Sequence, residues 1–131
     1  YGHNNRSAQF RLPQNRYCIE NRAADMTMNV YLAFAMTLSA AVEGIKGKIH
    51  PGKPTDQDLY EMSENEFKKL GIKRLPRNLL MAIEALKKDK LSDDVLGPVM
   101  KKSFLAYKND EWERYHQSVT DWEVKEYLRL Y

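Results

Sequence analysis

Residues 5–25 read NRSAQFRLPQNRYCIENRAAD, and this stretch decides how the rest of the sequence is interpreted. Two runs within it, residues 7–12 and 17–22, have the usual length of a β-strand. The Pro-Gln-Asn sequence at residues 13–15 has the chemistry of a turn, so the stretch predicts a β-hairpin. One acid and four bases lie on or beside the two predicted strands, namely Arg6, Arg11, Arg16, Glu20 and Arg22.

The spacing of these charges indicates which of them share a face. Glu20 and Arg22 point the same way on the second predicted strand, because strand side chains alternate with a period of two. Arg6 and Arg11 are five positions apart, so a regular strand would direct them to opposite faces. Both can reach one ligand only if a bulge or a strand end intervenes, and the sequence leaves open which of these occurs.

The residue types indicate anion and metal chemistry. Guanidinium groups bind carboxylate and phosphate oxygens in a bidentate manner and stay charged at physiological pH. A carboxylate beside them is a hard oxygen ligand for Mg²⁺ or Mn²⁺. The hairpin is therefore suited to holding a nucleotide phosphate near an acidic substrate. Spacing alone favours cross-strand ion pairs on a solvated sheet face, because exposed pairs of this kind are common and contribute little.

Sequence motifs decide between these two interpretations. Three segments follow in order: NRSAQFRLP (5–13), IENRAAD (19–25) and NVYLAFAMTLSAAVEGIKGKIHPGKPTDQDLYEM (29–62). They resemble the C-terminal catalytic motifs of the glutamine synthetase family, which commonly read NRxxxxRxP, ExRxxD, NPYLAFA and KIxPGxPxDxDLYE. The resemblance continues more loosely to VTDWEVKEYL (119–128), so it covers essentially the whole chain.

The resemblance implies a role for each charged residue of the hairpin. Arg6 matches an arginine that contacts both the ATP phosphates and the substrate glutamate, and Arg11 matches one that binds ATP phosphates and steadies the phosphoryl group. Glu20 matches a ligand of the second divalent metal, and Arg22 matches an arginine that holds glutamate. The family usually has a further basic residue before this glutamate, and Arg16 is the candidate for its contact with ATP.

One motif position raises the question of regulation. Tyr60 matches a tyrosine that some bacterial members of the family carry in an adenylylated form. The Pro-rich run that usually follows it is replaced here by SENEF (63–67), which weakens the expectation of regulation at Tyr60.

Composition and charge exclude several classes of protein. The 131 residues are 43% hydrophobic and 30% charged, as is typical of a soluble globular domain. The net charge is +3, and the lysines alternate with acids, so a nucleic-acid partner is not expected. A single cysteine fits a reducing cytoplasm. The sequence predicts neither a membrane span nor a secretion signal, and its start inside a motif without Met predicts a fragment of a longer chain.

The sequence after the hairpin is predicted to be helical. Asn29 is a suitable N-cap for a helix whose apolar residues cover most of its circumference, so we expect this helix to be buried behind the hairpin. Residues 50–62 predict a surface loop, and residues 92–97 predict a turn. The predicted helices span residues 30–46, a segment capped by Ser63 and Glu66, residues 77–88, residues 98–116, and a segment capped by Thr120 and Glu123.

The predicted fold class is α+β. A short N-terminal β-hairpin (1–25) is followed by a mostly helical bundle (26–131), and together they are expected to form the C-terminal segment of a glutamine synthetase catalytic domain. By resemblance, the whole enzyme is an ATP-dependent ligase that uses Mg²⁺ or Mn²⁺. It activates L-glutamate as γ-glutamyl phosphate, which ammonia converts to glutamine in nitrogen metabolism. The isolated fragment is expected to be inactive, and the full-length protein is expected to be a large cytoplasmic homo-oligomer.

Two alternative functions remain open. The terminal pattern VTDWExxxYL (119–128) resembles the γ-glutamylamide ligases, a branch of the family that joins glutamate to methylamine, putrescine or other primary amines. The other alternative is a non-catalytic helical interaction module.

Overall fold

The structure is a computed structural model that describes residues 1–130. The chain divides into two compact units, Tyr1–Arg74 and the residues from Leu75 onward, which are described in turn. Within the described residues, three short strands precede five helices, which agrees with the predicted α+β class. None of the helices in residues 1–130 combines the length and the apolar character that a membrane crossing needs.

A three-stranded sheet begins the first unit. Strand β1 (Gly2–His3) pairs in parallel with β2 (Phe10–Leu12), and β2 pairs antiparallel with β3 (Glu20–Asn21). The β2–β3 pair is the predicted hairpin, but both strands are shorter than predicted. The reason is local hydrogen bonding: the Ser7 N–H donates to the side chain of Asn5, and the Cys18 N–H donates to the Arg16 carbonyl.

Helix α1 (Val30–Lys46) has the predicted bounds. The side chain of Asn29 caps it by accepting hydrogen bonds from the backbone N–H groups of Tyr31 and Leu32. Its predicted burial is wrong, since none of the residues of Val30–Lys46 is buried and Tyr31 and Ile45 are 82% and 78% exposed. Among the described elements of the first unit, α1 approaches neither the sheet nor the next helix. The first unit therefore supplies no second layer against which α1 could pack.

The rest of the first unit follows the sequence signals closely. Residues 50–62 are irregular, as predicted. Helix α2 (Glu64–Lys69) begins with the capping box of Ser63 and Glu66 and is followed by Gly71, whose φ of +65° is a backbone conformation that favours glycine.

The second unit contains three helices, α3 (Leu79–Lys88), α4 (Lys90–Gln117) and α5 (Asp121–Tyr127). Residues 92–97 were predicted to be a turn. Residues 92–96 instead belong to the first limb of α4, because the Asp89 side chain accepts a hydrogen bond from the Ser92 N–H and restarts a helix. Gly97, with φ of 67°, breaks α4 before its second limb begins at Pro98 as predicted.

Helices α3 and α4 pack against each other around Ile83, which is buried. The Lys101 side chain, only 7% exposed, donates from Nζ to the Asp89 carbonyl at 2.9 Å and to Asp93 Oδ1 at 2.6 Å. Ser92 is also buried, and its hydroxyl donates to the Asp89 carbonyl at 2.7 Å. The end of α3 is thus held by polar side chains of α4.

Candidate active site

Three of the four hairpin arginines surround Glu20. The β2–β3 register places Arg11 opposite Glu20, and Nη1 of Arg11 lies 3.0 Å from both carboxylate oxygens. Nη2 of Arg16 lies 2.7 Å from Oε1, and Nη1 of Arg22 lies 3.8 Å from Oε2. The side chains of Arg11 and Glu20 are 15% and 25% exposed, so water screens this pair less than it screens a fully exposed one.

These contacts change the ionisation of Glu20. The hydrogen bond from Arg11 lowers the pKa of the Glu20 carboxyl below its ordinary value. Partial burial acts in the opposite direction, and the hydrogen bond from Arg16 lowers the pKa further. Glu20 is therefore an ionised acceptor at neutral pH, held in place by cations.

Arg6 and Arg11 come together at one open cavity of about 450 Å³. Arg6 lies in an irregular segment before β2, so a strand end, and not a bulge, allows both arginine residues to line the same cavity. The Nε atom of Arg22 donates to the Arg6 carbonyl at 2.9 Å, which connects Arg22 to this segment. The described residues that line the cavity are Asn4, Asn5, Arg6, Ser7, Arg11, Asp56, Asp58 and Tyr60.

The loop of residues 50–62 supplies three of the residues that line the cavity. Asp56 and Asp58 lie there, although sequence reasoning assigned them no role and considered Tyr60 only as a modification site. The His3 N–H donates to Asp56 Oδ1 at 2.6 Å, and this hydrogen bond is the main cause that lowers the pKa of Asp56. The PxDxDLYE motif was the signal that could have identified both aspartates.

The arrangement fits a divalent metal only in part. Glu20 has the oxygen donors that Mg²⁺ and Mn²⁺ prefer, but both oxygens already accept hydrogen bonds from Arg11. Within residues 1–130, no group of three or more His, Cys, Asp or Glu side chains is placed to hold a metal ion. The described residues therefore do not form a complete metal site by themselves.

Comparison with known proteins identifies the family. Residues 1–127 match the family model described as glutamine synthetase, catalytic domain. The chain is 42% identical over 131 residues to the glutamate–methylamine ligase of Methyloversatilis universalis, covering 100% of this chain and 29% of that protein. It is 40% identical over 131 residues to the glutamine synthetase of Methanocaldococcus jannaschii, covering 98% of this chain and 29% of that protein.

A solved structure described as "Apo GmaS without ligand" has the same fold. It aligns with a TM-score of 0.80 and 34% identity, covering 98% of this chain and 29% of that one. The chain thus spans less than a third of the length of these relatives. The predicted family and α+β fold are confirmed, and the named relatives are ligases. On these grounds the chain belongs to the glutamine synthetase catalytic-domain family.

Proposed function

We propose that this chain forms the C-terminal segment of the catalytic domain of an ATP-dependent ligase. The ligase activates L-glutamate as γ-glutamyl phosphate and amidates it with ammonia to give glutamine. The position of Arg11 is the observation that supports this most directly, because one side chain both lines the cavity beside Arg6 and contacts the carboxylate of Glu20. A phosphate bound in the cavity would lie between two guanidinium groups.

The position of each arginine supports a distinct role in phosphoryl transfer or in glutamate binding. Phosphoryl transfer requires that negative charge on the transferring oxygens be neutralised, and Arg6 and Arg11 face the space where those oxygens would lie. Arg16 is 60% exposed, so its guanidinium can leave Glu20 and reach an ATP phosphate. Arg22, held by the Arg6 carbonyl, would bind the carboxylate of glutamate, as would Arg6 itself.

Glu20 is the residue of this chain that would hold a divalent metal. A bound Mg²⁺ or Mn²⁺ supplies charge neutralisation at the phosphate oxygens. Because Arg11 and Arg16 already occupy the Glu20 carboxylate, these arginines must move aside or share it when the metal binds. The remaining metal ligands would come from parts of the protein outside these 131 residues. The full-length protein is expected to form a large homo-oligomer.

Phosphate release tests the proposal. The full-length protein that contains this sequence is expected to release phosphate from ATP only when glutamate and ammonia are both supplied. The purified 131-residue chain is expected to show no turnover, because its described residues hold no group of three or more metal ligands. Turnover by the chain alone would contradict the proposal that the remaining metal ligands lie outside these 131 residues. A full-length protein that folds and binds no ATP would instead favour the non-catalytic interaction module.

A second candidate is a γ-glutamyl-amine ligase with a methylamine or polyamine acceptor. The observation that favours it is the 42% identity to a glutamate–methylamine ligase, which matches the resemblance of the C-terminal motif to that branch. The ratio of kcat/KM for methylamine to kcat/KM for ammonia, measured with the full-length protein, decides between the two. A ratio well above one would replace ammonia as the proposed acceptor.

A further inference from the structure

The Asn5 side chain joins two segments that are far apart in the sequence. Its Nδ2 group donates to the Thr55 carbonyl at 2.7 Å and to the Gln57 carbonyl at 2.9 Å. Its Oδ1 atom accepts from the Ser7 N–H at 2.9 Å and from the Ser7 hydroxyl at 2.7 Å. One half-buried amide thus makes two hydrogen bonds to the loop and two to its own segment.

Neighbouring contacts reinforce this junction. The Ser7 hydroxyl oxygen accepts from the Leu59 N–H at 2.9 Å, and the Thr55 N–H donates to the Tyr1 carbonyl at 2.8 Å. The two segments also approach so closely that a Cβ atom on Gly2 would lie 2.4 Å from the Thr55 carbonyl oxygen. Only glycine fits at position 2. The Thr55 backbone is therefore contacted both by Gly2 and by the Asn5 side chain.

The junction residues Asn5 and Ser7 also line the cavity. Arg6 follows Asn5 in the chain, while Asp56, Asp58 and Tyr60 belong to the loop that Asn5 holds. Asn5 therefore ties the segment that carries Arg6 to the loop that carries the two aspartates. Asparagine is suited to this task because its amide offers two N–H donors and one carbonyl acceptor. Aspartate has the same size but no donor.

We propose that Asn5 is a positioning residue for the phosphate and glutamate site. This inference rests on the proposed function. Asn5 acts through the placement of Arg6 and of the loop carrying Asp56, because its amide donors are engaged by Thr55 and Gln57 and its amide oxygen by Ser7. Displacements of about 1 Å in a positioned group can lower a rate about 100-fold, so loss of this junction is expected to reduce kcat without loss of the fold.

The first experiment is hydrogen exchange on the chain with Asn5→Asp. Aspartate retains an acceptor for the Ser7 N–H but turns an oxygen toward the Thr55 and Gln57 carbonyls, which repels the loop. The amides of Leu59 and Thr55 are expected to exchange roughly tenfold faster or more, and the Ser7 amide is expected to change much less. Unchanged exchange at Leu59 and Thr55 would overturn the proposal.

Two further variants keep this experiment interpretable. Asn65→Asp makes the same chemical change at an exposed position of α2 and is expected to leave the exchange at Leu59 unaltered. Ser7→Ala removes the acceptor of the Leu59 N–H and one hydrogen bond to Asn5 Oδ1, but leaves both Asn5 hydrogen bonds to the loop in place. It is therefore expected to accelerate exchange at Leu59 while Thr55 stays protected. If Asn5→Asp fails to fold, uniform acceleration in Ser7→Ala counts against the proposal, and selective acceleration supports it.

The second experiment is a double-mutant cycle in the full-length protein. Asn5→Asp is expected to lower kcat about 10- to 100-fold with a smaller change in the KM for ATP, and to have little further effect in the Arg6→Ala background. Fully multiplicative effects of the two substitutions would overturn the proposal. A wild-type protein without ligase activity would refute the proposed function instead, and the exchange result would still decide whether Asn5 holds the loop.

Discussion

The Nη1 atom of Arg11 lies 3.0 Å from each carboxylate oxygen of Glu20, its partner across the β2–β3 register. This contact has two consequences. It links the two strands of the hairpin through their side chains, and it holds a guanidinium group at the edge of the cavity shared with Arg6. The stability of the hairpin and the geometry of the proposed site therefore depend on the same ion pair.

We expect the ion pairs of Glu20 to make stability depend on acidic pH. Arg11 lowers the pKa of Glu20 in the folded chain below its ordinary value of 4.5. The pairs therefore stabilise the fold above a pH of about 4.5, and this contribution is lost as the pH falls through the lower pKa of the folded state. Melting temperatures measured from about pH 3 to about pH 7, a range that includes the ordinary pKa of a carboxyl group, test this expectation.

Substitutions test whether Glu20, and not another carboxylate, causes this pH dependence of stability. Glu20→Gln is expected to reduce the loss of melting temperature on acidification, because it removes the group that titrates. Glu126→Gln removes an exposed carboxylate of α5 and should retain the wild-type pH dependence. Equal pH dependence in the wild type and in Glu20→Gln would mean that the Arg11 pair contributes nothing measurable.

Arg22→Ala is expected to weaken glutamate binding in the full-length protein. A hydrogen bond to a charged group contributes about 1.5–3 kcal/mol, so the KM for glutamate should rise about 10- to 100-fold. The KM for ATP should change less, since Arg22 is not among the described residues that line the cavity with Arg6 and Arg11. Steady-state kinetics with each substrate varied measures this, with the exposed Arg129→Ala as control. Parallel increases in both KM values would contradict the assigned role.

Glu20→Ala is expected to weaken metal-dependent activity. Partners outside the first ligand shell alone change metal affinity about 10- to 100-fold, so loss of a ligand should raise the Mg²⁺ concentration for half-maximal activity at least about tenfold. Glu20→Asp keeps a carboxylate and should lie between the wild type and Glu20→Ala. Magnesium titrations of phosphate release measure both variants, and melting temperatures show whether the hairpin is intact. Wild-type magnesium dependence in Glu20→Ala would exclude Glu20 as a ligand.

Lys101→Met is expected to destabilise the α3–α4 pair. Methionine approximates the length of the lysine stem but removes the ammonium group that donates to the Asp89 carbonyl at 2.9 Å and to Asp93 Oδ1 at 2.6 Å, while the Ser92 hydroxyl stays on that carbonyl. A hydrogen bond to a charged group contributes about 1.5–3 kcal/mol, and the free energy of unfolding of this unit should fall by about that amount. Urea denaturation followed by circular dichroism measures it. Lys102→Met, at the exposed neighbouring position, is the control and should unfold like the wild type.

Signals confined to a few neighbouring residues predicted local structure well. The cap at Asn29 and the capping boxes beginning at Ser63 and Thr120 all form as expected, because each involves hydrogen bonds within three residues. The turn predicted at 92–97 forms only at Gly97. Residues 92–96 are helical, because the cap at Asp89 starts a helix just upstream, and this cap was not recognised in the sequence.

Features that depend on distant parts of the chain could not be predicted in this way. The two-residue strand β1 exists only because it pairs with residues 11 and 12, and its sequence carries no strand signal. Sequence motifs identified Arg6, Arg11 and Glu20. Asp56 and Asp58 line the same cavity only because the loop of residues 50–62 packs beside the N-terminal segment. Burial of α1 was predicted from its apolar residues alone, whereas burial also requires an opposing surface.

The exposed apolar residues of α1 are expected to limit the solubility of the purified chain. Water must hydrate Tyr31, Phe34, Leu38 and Ile45 on a single helix, and salts that are excluded from protein surfaces make such hydration less favourable. Ammonium sulfate is therefore expected to precipitate this polypeptide at modest concentrations. Solubility, more than the thermodynamics of unfolding, will set the range of concentrations in which its binding properties can be studied.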